Sequence, residues 1–153
     1  MRDVFKHKLV QHDLLVGTIV TLSAPEITEI LCGSNLDWLF VDLEHSALGI
    51  KEAQVILQAS RPQVPCVVRV PLNDEVWIKK ALDIGAAGII VPQVRTAEEA
   101  QKAVRFCKYP PQGTRSVGIG RAQGYGDKFQ SYVASADDEV AVIVQIEHID
   151  GVN

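Results

Sequence analysis

The stretch Trp38-Leu39-Phe40-Val41-Asp42-Leu43-Glu44-His45 decides how the rest of the chain is interpreted. Side chains of a β-strand alternate between two faces, so the odd-numbered residues up to Leu43 share one apolar face. The even-numbered face begins apolar at Trp38 and Phe40 and becomes acidic at Asp42 and Glu44. Two apolar faces predict a parallel strand that is buried on both sides. Burying the acidic end costs desolvation free energy, so that end needs a partner or a function.

Composition narrows the class of protein. The chain has 153 residues, enough for one domain with a hydrophobic core, and 47% of them are hydrophobic. The net charge of −4, without a basic cluster, argues against nucleic acid as a partner. No apolar run approaches the roughly 20 residues of a membrane span, and the amino terminus lacks the apolar core of a signal peptide. The three scattered cysteines predict reduced core thiols in a cytoplasmic protein.

Predicted strands and helices alternate along the chain, which indicates an α/β fold with a parallel sheet. A repeat of roughly 22 to 25 residues fits a (β/α)₈ barrel, which takes about 250 residues, so five strands predict a barrel that stops after its fifth strand. The rival is an open, doubly wound five-stranded sheet, which the first strand disfavours because Ser23-Ala24-Pro25-Glu26, and no glycine-rich loop, follows it. The predicted strands are Val16–Leu22, 38–44, Val64–Pro71, Gly88–Val94 and Val140–Glu147, and the predicted helices are Val4–Gln11, one from the capping box at Ser23, Ile50–Ser60, Asp74–Ile84, one from the capping box at Thr96, and Lys128–Ser135.

Polar side chains gather at the carboxyl ends of these predicted strands, where α/β barrels build their active sites. Three simpler interpretations stay open at this point. Arg69 and Asp42 can form a purely structural ion pair, His45 can be an ordinary loop histidine, and Glu147 can cap a helix. Glu44 is assigned no single role. The polar residues predicted to converge are Asp42, Glu44, Arg69, Gln93, Gln145 and Glu147.

The segment from Gly113 to Gly126 is rich in glycine and contains two arginines. It is either a flexible surface loop or an active-site loop whose Arg115 or Arg121 binds an anionic substrate. No lysine follows the predicted strands two to five, so a Schiff-base mechanism lacks its nucleophile and metal-assisted chemistry is favoured.

Several motifs, in order along nearly the whole chain, resemble those of the HpcH/HpaI aldolases. These are metal-dependent (class II) pyruvate aldolases, such as 2-dehydro-3-deoxyglucarate aldolase and 4-hydroxy-2-oxoheptanedioate aldolase. The resemblance implies that residues 1–153 form the amino-terminal part of a single TIM-barrel domain. The motifs are Phe40-Val-Asp-Leu-Glu-His45, Val68-Arg-Val-Pro71, Gly85-Ala-Ala-Gly-Ile-Ile-Val-Pro-Gln93, Pro111-Gln-Gly-Thr-Arg115 with Gly120-Arg-Ala122, and Val144-Gln-Ile-Glu147.

The resemblance also implies a reaction and a role for each matching residue. A 4-hydroxy-2-oxo acid is cleaved to pyruvate and an aldehyde through a metal-stabilised pyruvate enolate. Glu147 is implied as a ligand of Mg²⁺ or Mn²⁺, with Co²⁺ as a further option, and His45 with Asp42 as the acid–base pair. Arg69 is implied to stabilise the enolate oxygen, and Gln145 to bind the pyruvate carboxylate. The resemblance also implies that the full-length parent protein is a homo-oligomer.

One departure from the family pattern is large. The second metal carboxylate of the family is an aspartate on the next strand, which this sequence does not contain. We therefore expect weak metal affinity and little activity from residues 1–153 alone. The rival functions are a citrate-lyase or malyl-CoA-lyase type of carbon–carbon lyase that acts on CoA esters, and an inactive truncated fragment.

Overall fold

A computed structural model describes residues 2–12, 14–60 and 64–152, with side chains from Phe5 onward. Within these residues, five parallel strands alternate with α-helices. The strands are β1 (Gly17–Val20), β2 (Trp38–Asp42), β3 (Cys66–Arg69), β4 (Gly88–Val91) and β5 (Ala141–Val144), and the helices are α1 (Arg2–Val10), α2 (Pro25–Cys32), α3 (Ile50–Ala59), α4 (Glu75–Asp83), α5 (Ala97–Cys107) and α6 (Phe129–Glu139), with short 3₁₀ turns at Arg121–Gly126 and Ile149–Gly151.

The strands lie side by side in chain order, β1-β2-β3-β4-β5, and every neighbouring pair is parallel. A doubly wound sheet reverses its strand order at a switch point, and this sheet has no reversal among the described residues, so the rival fold is wrong. The sequential order is that of a (β/α) barrel, which confirms the predicted fold class. The carboxyl ends of all five strands lie at the same edge of the sheet.

The two faces of the sheet bury different partners. The outer face packs against the helices, and its side chains at Leu39, Val41 and Val68 are fully buried. The inner face carries a smaller cluster that includes Val67 and Ile90. Phe5 of α1 closes the amino-terminal end of this cluster, with its ring centroid 5.5 Å from that of Trp38. The polar residues at the carboxyl edge of the sheet therefore lie next to the apolar layer of the inner face.

The strands are shorter than predicted, and this affects the site. β5 ends at Val144, so Gln145 and Glu147 lie in the segment that follows the strand. β4 ends at Val91, and Gln93 adopts a φ of 55°, which breaks the alternation of faces. The odd-numbered residues Ile89 and Val91 pack against the helices, while Ile90 faces inward. The prediction that Gln93 continues an inward-facing row of β4 is therefore wrong.

Of the two predicted capping boxes, only half of the one at Thr96 forms, because the Glu99 side chain bonds the amide before the N-cap and not that of Thr96. The side chain of Thr96 accepts a hydrogen bond from the amide of Glu99 at 3.2 Å, while the Glu99 carboxylate accepts from Arg95 N at 2.7 Å. The box predicted at Ser23 is wrong, because Ala24 is the N-cap of α2 and makes no side-chain cap. The apolar face of α2 and a proline in its first turn are sufficient to start it.

The three cysteines, Cys32, Cys66 and Cys107, are buried and form no disulfide, as predicted. Burial raises the pKa of the Cys66 and Cys107 thiols to about 12, which makes both poor nucleophiles. No helix within residues 2–12, 14–60 and 64–152 combines the length and the apolar character that crossing a bilayer requires.

Candidate active site

An ion pair between Asp42 and Arg69 lies at the carboxyl edge of the sheet. The two residues are register partners at the ends of β2 and β3. Arg69 donates from Nε to Asp42 Oδ1 at 2.9 Å and from Nη2 to Asp42 Oδ2 at 2.7 Å. Only 3% of the Asp42 side chain and 11% of the Arg69 side chain are exposed. A two-point pair in this setting fixes the plane of the guanidinium.

The carboxylate of Asp42 also organises the backbone that leaves β2. Its Oδ1 accepts hydrogen bonds from the amides of Glu44 at 3.0 Å and His45 at 3.2 Å. Burial alone would raise the pKa of Asp42, but the hydrogen bond from Arg69, the two amides and the Arg69 charge together lower it below its ordinary value of 3.8. Asp42 is therefore an anion at neutral pH.

Glu44 joins the ion pair as a second carboxylate. Its Oε2 lies 3.3 Å from Arg69 Nε and 3.7 Å from Nε2 of His45. The hydrogen bond to Asp42, opposed by burial, raises the pKa of Arg69, and the charges of Asp42, Glu44 and Glu147 add to the increase. The expected pairing of the His45 imidazole with Asp42 is not observed, because Asp42 contacts His45 through the backbone amide. The imidazole itself is 71% exposed and points to Glu44.

Two further residues border the guanidinium of Arg69. Arg69 Nη1 donates to Oε1 of Gln145 at 3.4 Å, which links β3 to the segment after β5. The ring of Phe40 is the second neighbour, with its centroid 5.0 Å from Arg69 Cζ. Sequence reasoning missed this cation–π contact, although Phe40 is two residues before Asp42 and so shares its face.

Glu147 lies at the same edge of the sheet but in a more exposed position. Its Oε1 accepts a hydrogen bond from the amide of Gln93 at 2.9 Å, which ties together the segments that follow β4 and β5. The alternative of Glu147 as a helix cap is wrong, since His148 caps the following 3₁₀ turn. Among the described residues, no three His, Cys, Asp or Glu side chains are placed to hold a metal together. Glu147 is thus an exposed carboxylate at the carboxyl edge, with one oxygen already bonded to the amide of Gln93.

The arginines of the glycine-rich segment lie at the opposite end of the sheet. Arg121 donates to the carbonyl oxygens of Ile84 at 3.1 Å and Leu57 at 3.0 Å, which precede β4 and β3. Arg115 is fully buried and pairs with Asp83 at 2.6 Å. The prediction that Arg121 or Arg115 meets the substrate at the carboxyl edge is therefore contradicted by their positions. Their guanidinium groups anchor the segment to the ends of α3 and α4.

The geometry can be compared with that of known proteins. A sequence model described as HpcH/HpaI aldolase/citrate lyase matches residues 16–153. The chain belongs to the HpcH/HpaI family. The chain is 39% identical over 153 residues to a hydroxypyruvate/pyruvate aldolase of Roseobacter denitrificans. This match covers 97% of the chain and 59% of that relative. The chain is 40% identical over 145 residues to a 4-hydroxy-2-oxovalerate aldolase of Novosphingobium aromaticivorans, with 94% of this chain and 55% of the relative covered.

A solved structure of an HpcH/HpaI aldolase/citrate lyase family protein from Burkholderia cenocepacia gives the same result at the level of the fold. It superposes with a TM-score of 0.93 at 32% identity, over 98% of this chain and 62% of that chain. The HpcH/HpaI chain described here thus spans about 55–62% of the length of these similar proteins. The resemblance found in the sequence motifs is confirmed.

Proposed function

We propose that this HpcH/HpaI chain carries the substrate-binding strand ends of a divalent-metal-dependent pyruvate aldolase. The reaction is the cleavage, or the reverse formation, of a 4-hydroxy-2-oxo acid from pyruvate and an aldehyde. The observation that carries the proposal is the Arg69 guanidinium, which Asp42 holds by two hydrogen bonds at the carboxyl edge of the sheet. The names of the aldolase relatives support the same reaction class.

Arg69 is suited to bind the oxygen on C2 of the substrate. An arginine has five N–H donors in one plane. Two of them bond Asp42 and a third reaches Gln145, so one hydrogen on each terminal nitrogen is left for a ligand. When the bond between C3 and C4 breaks, negative charge develops on the C2 oxygen. A guanidinium already fixed in place stabilises that charge without reorganisation.

Gln145 and Phe40 complete the part of the pocket that would hold pyruvate. The Gln145 carbonyl oxygen points to Arg69, which leaves the amide nitrogen to donate to the substrate carboxylate. Phe40 contacts the guanidinium of Arg69 from the apolar inner face of the sheet. His45, exposed at the rim, is proposed as the acid–base group for the C4 hydroxyl.

The charge of the site suits a divalent cation. Three carboxylates, those of Asp42, Glu44 and Glu147, surround one guanidinium, which leaves a formal excess of negative charge. Oxygen donors favour Mg²⁺ or Mn²⁺, and Glu147 is the proposed ligand of this chain. When bound, such a cation polarises the 2-oxo group and neutralises developing charge.

Because residues 1–153 alone are expected to have little activity, the test measures pyruvate release from 4-hydroxy-2-oxo acids, with and without Mn²⁺, by this chain within a complete (β/α)₈ barrel. We expect Arg69→Met to lower kcat/KM by about 100-fold or more, because the charge on C2 loses its stabilising donor. Arg105→Met is the matched control, since Arg105 is exposed on α5, and should leave kcat/KM within about twofold. Metal-independent release, or equal rates in the two variants, would rule the proposal out.

A second candidate is a carbon–carbon lyase that acts on CoA esters or on citrate, because the description of the family joins aldolase and citrate lyase. It predicts cleavage of malyl-CoA or citrate in preference to 4-hydroxy-2-oxo acids in the same assay. We also infer a cytoplasmic location from the three buried cysteines, which form no disulfide, and a homo-oligomeric state from the family resemblance. Gel filtration of the purified protein tests the oligomeric state.

A further inference from the structure

We propose that Gln93 positions the carboxylate of Glu147 through its backbone amide, which an irregularity after β4 turns out of the strand ladder. The inference rests on the proposed metal-dependent function, because it concerns the readiness of Glu147 for a divalent cation. The role belongs to the backbone of Gln93, which has a left-handed φ of 55°, and its exposed side chain is not needed for it.

The ladder between β4 and β5 has an extra residue directly after β4. Val91 and Val144 are register partners, and the carbonyl oxygen of Val91 accepts from Gln145 N at 2.9 Å. In a regular parallel ladder, the amide two residues after Val91, that of Gln93, would donate to the carbonyl oxygen of Gln145. The amide of Val94 makes this bond instead, at 3.1 Å. One residue is therefore inserted as a β-bulge, which releases the amide of Gln93 from the ladder.

The released amide has a new acceptor. It donates to Oε1 of Glu147 at 2.9 Å. Residues other than glycine seldom adopt a positive φ, and those that do are found preferentially at functional sites. Ladder bonds to Gln145 close the bulge on both sides, and Gln145 is two residues before Glu147. The donor and the acceptor are therefore held by the same short piece of structure.

This hydrogen bond selects one orientation of an exposed, flexible side chain. A free glutamate side chain would lose its conformational freedom on binding a cation. The amide of Gln93 removes part of that freedom in advance and engages Oε1, which leaves Oε2 for the cation. Arg69 attracts Glu147 by its charge alone, since its hydrogen bonds go to other side chains. Among the described residues, the amide of Gln93 is therefore the group that sets the orientation of the carboxylate.

The Kd of Mn²⁺, measured by isothermal titration calorimetry on this chain within a complete (β/α)₈ barrel, tests the inference. Gln93→Val places a β-branched residue where φ is positive, which strains the bulge. We expect its Kd to rise by about 10-fold or more, the usual effect of losing a group that orients a metal ligand. Gln93→Gly keeps the amide and favours a positive φ, so its Kd should stay within about threefold of the wild type. A Kd of Gln93→Val within about twofold of the wild type would overturn the inference.

Asn35→Val is the matched control. Asn35 has the same φ of 55° and precedes β2, at the opposite end of the sheet. Its replacement should lower the urea midpoint about as much as Gln93→Val does, and should leave the Kd of Mn²⁺ within about twofold of the wild type. An equal rise of Kd in both valine variants would assign the effect to lost stability and would refute the role of Gln93.

Amide hydrogen exchange of the wild type requires no substitution. If the bond from Gln93 favours the cation, the cation must strengthen that bond in return. We expect saturating Mg²⁺ to slow exchange of the Gln93 amide by about 10-fold. The amide of Tyr109, which donates to the Asp137 carboxylate at 2.9 Å, should change by less than about twofold. Unchanged exchange at Gln93 would refute the inference even where Gln93→Val fails to fold.

The outcomes also separate this inference from the proposed reaction. Mn²⁺-dependent release of pyruvate, with the same Kd in the wild type and in Gln93→Val, would refute the inference alone. The expected order of Kd values in a protein that releases no pyruvate would support the inference and refute the reaction. A wild type that binds no Mn²⁺ would refute both.

Discussion

Asp42 and Arg69 face each other across β2 and β3 as register partners, and their side chains form a two-point ion pair. The strand ladder fixes the separation of the two backbones, so neither side chain depends on a loop for its position. The pair thus places a rigid cation at the edge of the sheet.

The geometry of Arg69 can be tested with Arg69→Lys, which preserves the charge and removes the planar fork. An ammonium cannot hold both oxygens of Asp42 and also reach Gln145. We expect the free energy of unfolding to fall by about 1–3 kcal/mol and kcat/KM to fall by about 100-fold. Urea unfolding and pyruvate release measure the two effects. A lysine variant within threefold of the wild-type kcat/KM would mean that charge alone is sufficient.

The lowered pKa of Asp42 predicts how stability depends on pH. The folded protein holds this carboxyl group at a pKa below its ordinary value of 3.8, so the ionised form is the one that stabilises the fold. That contribution is fully present above the ordinary value and is lost as the pH falls through the folded pKa. Asp42→Asn should therefore be less stable than the wild type at pH 7, and the difference should narrow below about pH 4.

Unfolding curves of the wild type and Asp42→Asn between pH 3 and pH 7 measure this difference. Asp138→Asn is the control, because Asp138 is exposed on α6. A gap between the wild type and Asp42→Asn that stays constant over the whole range would contradict the assignment of Asp42 as the stabilising anion.

The role of Glu147 in metal binding predicts a change in thermal stability with Mn²⁺. A ligand at about ten times its Kd adds about 1.4 kcal/mol to the free energy of unfolding, which raises the Tm by roughly 3–6 °C for a chain of this size. We expect Glu147→Gln to abolish this rise while changing the metal-free Tm little, since the side chain is exposed. Glu139→Gln, at the opposite end of the sheet, should keep the full rise. If Mn²⁺ raised the Tm of Glu147→Gln as much as that of the wild type, Glu147 would not be a metal ligand.

The sequence predicted the fold because β2, β3 and β5 carry two different faces. One face is apolar throughout and fits the helices, and the other becomes polar only at Asp42, Arg69 and Gln145. Alternation in a strand and parallel pairing are enough to bring these three residues together. The helix caps were predicted less well, because Ala24 starts α2 without a side-chain acceptor.

The partner of the imidazole could not be obtained from strand parity. Residues 43–46 leave the strand in a turn, and the direction of His45 depends on the two amides that Asp42 accepts. The position of Arg121 could not be predicted from the sequence either. A glycine-rich segment between a helix and the next helix can cross either end of the sheet, and buried contacts such as that between Arg115 and Asp83 select the end.

The position of Arg121 gives the last prediction. Its guanidinium holds the carbonyl oxygens of Leu57 and Ile84, so Arg121→Met should lower the free energy of unfolding by about 2–4 kcal/mol. It should leave the KM for the 4-hydroxy-2-oxo acid within about twofold, because the site lies at the other end of the sheet. Urea unfolding and steady-state kinetics measure both effects, with Arg105→Met as the exposed control. A tenfold increase in KM without loss of stability would indicate that the glycine-rich segment binds the substrate after all.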